Sequence, residues 1–420
     1  MKVGNFETVN KILARYIPDS VESAYTLTRM TKVMDLLGNP QDTNKSVHIA
    51  GTAGKTSTSY YIAKMLQLSG KKVGLTISPH MDEVNERLQV NNTPLPETKY
   101  CDYFAEFMEI EGLLELKPTY FELLVAFAYW VFSKEHVDYA VVEVGLGGLV
   151  DGTNVITRED KVCVITDIGL DHTRILGNTL PDIAIQKAGI IHSGNNVFMA
   201  RQDKSVEKTV SDYARSVGAS LRIVDRLVNV PSYLPLYQQR NWSLAKSVFD
   251  YVASRDQLAK LDEANIDASA HIVIPGRMEI RKIGNKTVIL DGAHNGAKFE
   301  ALAKTLVSFL GSKKAVFLLG MVQSKEMHLD QVVKSVNPFA AEIICTSVQP
   351  LQEMPHTSLD PEIIEVAFKD AGTENIKTVN NLETALHRAM QSEADTLVIT
   401  GSLYLLSEVR KLLKNEYSND

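Results

Sequence analysis

The sequence predicts an α/β protein of two domains, each a mostly parallel sheet covered by helices. Strand-like and helix-like apolar runs alternate along almost the whole chain. A turn-rich stretch near residues 274–285 interrupts that alternation, which then resumes. A chain of 420 residues also exceeds what one ordinary core accommodates. The boundary is expected near residue 283, giving a larger domain over 1–283 and a smaller, Rossmann-like one over 284–420.

In the first domain, Ser46–Ala50 reads as a strand, Lys55–Ser69 as a helix and Val73–Ile77 as a strand. Thr98–Glu115 and Tyr120–His136 read as helices, the second with a broad apolar face. Tyr139–Val144 and Lys161–Thr166 are expected strands and Thr179–Ala188 a helix. Asn196–Ala200 follows as a strand, then Lys204–Val217 and Gln238–Ser254 as helices. In the second domain the expected strands are Thr287–Leu290, Ala315–Leu319, Ala341–Thr346 and Thr396–Thr400. The helices among them are Gly296–Leu310, Gln331–Val336, Pro361–Ala371, Leu382–Met390 and Leu405–Leu413.

Composition narrows the function. A net charge of −7 argues against a general nucleic-acid binder, which would be basic. No apolar run approaches the roughly 18 residues that span a bilayer, and the N-terminus carries no signal segment. Cys101, Cys163 and Cys345 are widely spaced and form neither a metal pattern nor a disulfide framework. These features place the protein in the cytoplasm, away from nucleic acid and membranes.

Chemistry concentrates where strands end. After the first strand comes Gly51-Thr52-Ala53-Gly54-Lys55-Thr56-Ser57, then a helix. Glycines let backbone N–H groups face a phosphate, and the helix N-terminus adds positive potential. Lys55 can reach outer phosphates, and the hydroxyl of Thr56 or Ser57 can hold magnesium. The loop is a shortened Walker pattern. A plain helix-opening turn is the alternative; a lysine followed by two hydroxyls favours phosphate. The stretch from Glu143 to Asn154, EVGLGGLVDGTN, places glycines and acids at another strand end. That suits backbone lying close to a ligand, with Glu143 aimed at a metal. Asp171 and His172 follow a third strand, a position that favours His172 as a ligand over a core histidine.

The motifs together resemble the folylpolyglutamate synthase/dihydrofolate synthase family of the Mur ligase superfamily, over stretches from Val47 to Arg410. The loop is similar to the family's GTNGKGS. Ser78-Pro79-His80-Met81 with Glu86, Arg87 and Asn91 matches its SPHL…ER…N. Glu143, Gly145, Gly147, Gly148, Asp151 and Asn154 match its second glycine signature. Asp171, His172, Leu176 and Gly177 match DH…LG; Gln186 to Ile190, PGRME at Pro275–Glu279, DGAHN at Asp291–Asn295 and GSLYLLSEVR at Gly401–Arg410 also match.

The resemblance implies an ATP- and magnesium-dependent ligase that joins L-glutamate to a folate through an acyl phosphate, with dihydropteroate as a further acceptor. Gly51, Thr52, Gly54, Lys55, Thr56 and Ser57 would hold the phosphates. Asn241, Arg277, Asp291 and His294 would meet the rest of the nucleotide. Ser57 (or Thr56), Ser78 and Glu143 would hold one Mg2+, and His172 a second that shares Glu143. Lys187 would be carbamylated, completing a catalytic set of Lys55, Glu143, His172 and Lys187. Ser78, Pro79, His80, Glu86, Arg87, Asp151 and Asn154 would bind substrate. A monomer is implied. Blander roles stay open: a surface lysine for Lys187, an ion pair with Glu279 for Arg277, a capping or surface role for Asn241, a solvated pair for Glu86 and Arg87.

Ala53, Thr56, Leu149, Gly296 and Ser324 depart from the family pattern, and Gln186 replaces its glutamate. None removes an expected metal ligand. A Mur-type ligase acting on a different acid, or a catalytically silent ATP-binding homologue, are the rival readings.

Overall fold

The computed structural model describes residues 3–18, 26–225, 230–323, 328–349 and 357–416. They form two compact units, Met1–Leu234 with Gln238–Ile272, and Pro235–Tyr237 with Val273–Asp420. The division therefore falls at residue 272/273 rather than near 283.

The first unit holds an eight-stranded sheet. Its strands are β1 (Lys45–Ala50), β2 (Val73–Thr76), β3 (Gln89–Val90), β4 (Thr93–Pro94), β5 (Tyr139–Glu143), β6 (Val162–Ile165), β7 (Asn196–Ala200) and β8 (Ser220–Val224), in the order β4-β3-β2-β5-β1-β6-β7-β8. From β2 to β8 the pairings are parallel; β3 and β4 add an antiparallel edge. β1 is central, with Val47 opposite Val141 on one side and Val162 on the other. Parallel strands buried on both faces are made of continuous apolar residues, and β2, β5 and β6 are buried throughout.

Ten helices are described in or bordering this unit: α1 (Phe6–Leu13), α2 (Thr28–Leu36), α3 (Lys55–Leu68), α4 (Glu97–Met108), α5 (Tyr120–Lys134), α6 (Thr173–Leu176), α7 (Leu180–Ala188), α8 (Lys204–Ser216), α9 (Leu236–Asp256) and α10 (Glu263–Ala270). On one face, α1, α2, α4 and α5 pack with Ala140 and Val142 of β5 around a large apolar cluster. Its aromatic centre is Phe127, whose ring lies 5.2 Å from Tyr100, 5.5 Å from Phe104 and 5.2 Å from Phe107. Opposite, α7 and α8 cover β6 and β7. The helix expected over Thr98–Glu115 stops at Met108; Gly112, at a positive φ, keeps it from continuing to Glu115, and only a short 3-10 turn, Leu114–Leu116, follows.

The second unit carries strands β9 (Glu279–Ile283), β10 (Lys286–Asp291), β11 (Ala315–Leu319), β12 (Ala340–Cys345), β13 (Ile376–Thr378) and β14 (Thr396–Thr400), ordered β13-β12-β11-β14-β10-β9. Only β9 runs antiparallel, pairing Glu279 with Leu290 and Ile283 with Lys286, which is why residues before 283 belong here. Helices α11 (Gly296–Leu310), α12 (Leu329–Val336), α13 (Pro361–Asp370), α14 (Leu382–Gln391) and α15 (Leu403–Glu416) accompany the sheet. Ser324 lies outside the described residues. No described helix is long and apolar enough to cross a membrane.

Candidate active site

In the first unit, β1, β2, β5 and β6 deliver their following loops to one edge of the sheet, since all four run the same way. Strand ends beside a change in strand order are where α/β sheets bind ligands.

The loop after β1 is built for an anion. Gly54 is the N-cap of α3 at φ +86°, and without a side chain it leaves the first helical N–H groups uncapped. The Thr52 and Ala53 amides donate to the Asp167 carbonyl at 2.7 and 3.1 Å, which pins the loop to the end of β6. The Thr52 hydroxyl bridges the Gly169 carbonyl and amide, each at 3.1 Å. Lys55 folds back over the loop and donates from Nζ to the Gly51 carbonyl at 3.1 Å. A Cβ at Gly51 would overlap the Thr166 hydroxyl, and one at Gly54 would overlap the Asn241 amide. Asn241, expected near the nucleotide, thus buttresses the loop from α9. One residue before it, Arg240 donates from Nε and Nη2 to the Asp167 carboxylate at 2.8 and 2.5 Å.

Glu143 ends β5 and is 3% exposed. Its Oε1 accepts from the Thr56 hydroxyl at 2.9 Å and its Oε2 from the Ser78 amide at 3.4 Å. Of the two hydroxyls expected to serve a metal, Thr56 is therefore the one at the carboxylate; Ser57 is buried on α3. Ser78 precedes a cis peptide bond to Pro79.

Beyond Pro79, Glu86 builds the turn rather than facing solvent. Its carboxylate accepts from the Met81 and Asp82 amides at 2.8 and 2.9 Å. Arg87 is buried; its Nε donates to His80 Nδ1 at 2.8 Å and its guanidinium lies 5.6 Å over the Tyr120 ring. The solvated ion pair is thereby excluded. Arg87, Ser78, Phe121 and Glu143 line a small cavity with Thr76, Ile77, Leu124 and Val125.

The glycine loop after Glu143 is internally tied. Asp151 accepts from the Leu146 amide at 2.7 Å, the Thr153 amide at 2.9 Å and the Thr153 hydroxyl at 2.5 Å. Burial pushes its carboxyl up, against the pull of these bonds. Asn154 donates to the Leu149 and Gly189 carbonyls, both at 3.0 Å. Asp151 and Asn154, both expected to bind substrate, spend these groups on the loop. Leu149 N–H donates to the Gln186 carbonyl at 2.7 Å, and a Cβ at Gly148 would crowd the Gln186 and Lys187 carbonyls. The loop is thus joined to the end of α7, where Lys187 is 4% exposed, not a surface lysine. His172 sits at φ +50° at the start of α6, its ring 58% exposed and 3.9 Å from Asp171.

The second unit makes its own cluster. Asp291, expected at the nucleotide, is buried and builds a loop. It accepts from the Tyr237 hydroxyl at 2.9 Å and the Met278 and Ala293 amides at 2.9 and 3.0 Å. Burial raises its carboxyl and the Arg277 charge opposes that rise. His294 donates from Nδ1 to the Gly292 carbonyl at 2.9 Å, so its Nε2 accepts from Lys298 at 2.8 Å. Arg277 Nη1 donates to the Gly276 carbonyl at 3.1 Å. Glu279, the alternative partner for Arg277, holds Arg281 at 2.6 Å, the Gly276 amide at 3.0 Å and Arg410.

Sequence reasoning passed over Asp167, Thr153 and His48. Thr153 lies within the EVGLGGLVDGTN stretch, but its partner His48, like the Arg240 partner of Asp167, is far along the chain.

Comparison with known proteins agrees with these observations. Residues 49–222 match the Mur ligase middle domain, and residues 276–403 match the Mur ligase glutamate ligase domain. Dihydrofolate synthetase of Saccharomyces cerevisiae is 31% identical, over 94% of this chain and 99% of the yeast protein. Dihydrofolate synthase/folylpolyglutamate synthase of Bacillus subtilis is 30% identical, over 92% and 95%. The structure of E. coli FolC in complex with DHPP and ADP superposes with a TM-score of 0.84 at 25% identity, covering 99% of each chain.

Proposed function

The chain belongs to the folylpolyglutamate synthase/dihydrofolate synthase family, and from that premise we propose that it is an ATP-dependent ligase joining L-glutamate to a pterin-bearing carboxylic acid. The acceptors are dihydropteroate, tetrahydrofolate or both. The reading rests most heavily on the convergence of the Thr56 hydroxyl and the Ser78 amide on the buried Glu143 carboxylate, beside an uncapped glycine loop.

This donor set fits Mg2+-ATP. The ion is hard, prefers oxygen, and keeps waters and phosphate oxygens in its shell rather than a cage of protein carboxylates. Among the described residues no three His, Cys, Asp or Glu side chains are grouped to hold a metal alone. Glu143, Thr56 and Ser78 would hold one ion, and His172 would serve a second. Mg2+-ATP supplies the phosphoryl group that makes the acceptor carboxylate electrophilic, as an acyl phosphate.

The chain's own work is positioning and neutralisation. Lys55 leaves the Gly51 carbonyl for a phosphate oxygen. The uncapped amides of α3 share that anion. Arg87, held by His80 beside the cavity, faces the acceptor side with Phe121. Lys187 is part of the proposal as a carbamate: it is buried at the end of α7, beside the glycine loop that follows Glu143. The enzyme works in the cytoplasm, a setting that its three free cysteines suit.

The test is phosphate release from ATP with Mg2+ and L-glutamate, comparing dihydropteroate, tetrahydrofolate and no acceptor, with products weighed by mass spectrometry. Glutamate added to dihydropteroate alone means a dihydrofolate synthase; to tetrahydrofolate alone, a polyglutamate synthase; to both, a bifunctional enzyme. Release stimulated by neither would overturn the acceptor assignment.

A further inference from the structure

His48 is fully buried on β1, flanked in register by Val142 and Cys163 of the neighbouring strands. A histidine there is costly unless its ring does something. Its Nε2 lies 2.9 Å from the Thr153 hydroxyl. That hydroxyl has one proton, and it lies 2.5 Å from Asp151 Oδ1. The other partners of that carboxylate, the Leu146 and Thr153 amides, can only donate, so it acts as an acceptor and the hydroxyl proton goes there. Thr153 must then accept, and His48 must donate from Nε2. The Thr153 carbonyl is fixed separately, by the Tyr129 hydroxyl at 2.9 Å.

We propose that His48, Thr153 and Asp151 form a one-directional hydrogen-bond relay that holds the glycine loop, and through it Glu143 and the α7 end bearing Lys187, in the geometry the ligation needs. The three are positioning residues. Asp151 fixes Leu146 near the start of the loop, three residues after Glu143. Leu149 carries the same loop to Gln186, next to Lys187. The relay starts from the strand that precedes the phosphate loop. Thus one central strand sets both sides of the site. The proposal rests on the ligase reading above.

Thr153→Val deletes the hydroxyl at nearly constant volume; Thr153→Ser retains it. In the full chain, deuterium exchange of the peptide spanning 145–154 reads the loop without any ligand. Thr153→Val should exchange at least about 10-fold faster there and lose about 10- to 100-fold in kcat, with KM for ATP changed far less. Thr153→Ser should restore both. Exchange and kcat like wild type in Thr153→Val would overturn the relay, as would a serine variant as impaired as the valine one. His48→Gln keeps an N–H donor and His48→Leu does not, so the first should retain more activity; equal losses would count against the relay. This pair carries the same comparison if Thr153→Val fails to fold. Glu143→Gln separates the two ideas. Full activity in that variant would sink the role given to Glu143, while exchange in Thr153→Val still decides the relay.

Discussion

Lys55 shows how little stability a residue proposed for the phosphate site need carry. It makes one hydrogen bond, to the loop it sits on. Lys55→Ala should change stability by less than about 1 kcal/mol but lower turnover at least about 100-fold. Near-normal ligation by a well-folded variant would remove the phosphate assignment. A second residue couples burial to pH. Lys161 is fully buried and donates to the Ile156 carbonyl at 3.1 Å and lies 3.2 Å from His192 Nδ1. Burial first, and then the Lys161 charge, push His192 down to about 4. Its unfolded value is about 6.5. Between these values the unfolded chain takes up a proton that the folded chain refuses. Stability therefore falls as pH drops from about 6.5 to 4 and levels off for this group below that. His48, held neutral by burial, acts in the same direction. Thermal unfolding across this range should show the decline, and His192→Gln should flatten it; an unchanged slope would refute the linkage. At this scale the placement of the glycine loop, Lys55 and Glu143 at strand ends was legible, because charged residues beside glycines there serve packing poorly. Asp151 was misread. An acid in a glycine-rich loop looks the same in sequence whether it faces a ligand or its own backbone amides. Choosing Thr56 over Ser57 needed the helical phase of α3 relative to Glu143.

Among the elements, α15 explains a motif that had no assigned task. Its Arg410 pairs with Glu279 at the start of β9, and the same carboxylate binds the Gly276 amide next to Arg277. Both side chains are buried. Removing one partner of such a pair leaves a charge in low dielectric. Arg281 still faces Glu279 in that case, so Arg410→Met should cost about 3 kcal/mol, the lower part of the usual range. Deuterium exchange should rise over 276–291 and stay unchanged over 45–57; a uniform rise, or none, would refute a local role. Long, strongly patterned elements were legible: Asn196–Ala200, Gly296–Leu310, Ala315–Leu319 and Thr396–Thr400 match their expected bounds. The elements left unassigned are α1, α2, β3, β4, α6, β8, α10 and β13. β3 and β4 are two residues each, too short for a period to register. β8 is half-exposed at the sheet edge, where alternation is diluted. α10 carries only two buried residues, Ser269 and Ala270.

For the whole molecule, two α/β units follow from the sequence because the alternation runs through both and breaks once. The break was placed too late. Glu279–Ile283 looked like the tail of the first unit, whereas pairing with β10 across the Gly284 turn draws it into the second. The signal was local: a two-residue Gly284-Asn285 turn between two strand-like runs marks a hairpin, which the alternation of strands and helices does not register. The order of the second sheet has a further consequence for how the protein is made. β14 is the last strand in the chain, yet it lies between β11 and β10. A ribosome exposes β9 through β13 first, as two groups of strands whose inner edges have no partner. Bare edges of that kind invite pairing with other chains. The second unit can close only after Thr396–Thr400 has left the exit tunnel, so its final assembly must come late in synthesis or after it. During that interval the nascent chain should be at its greatest need of a chaperone.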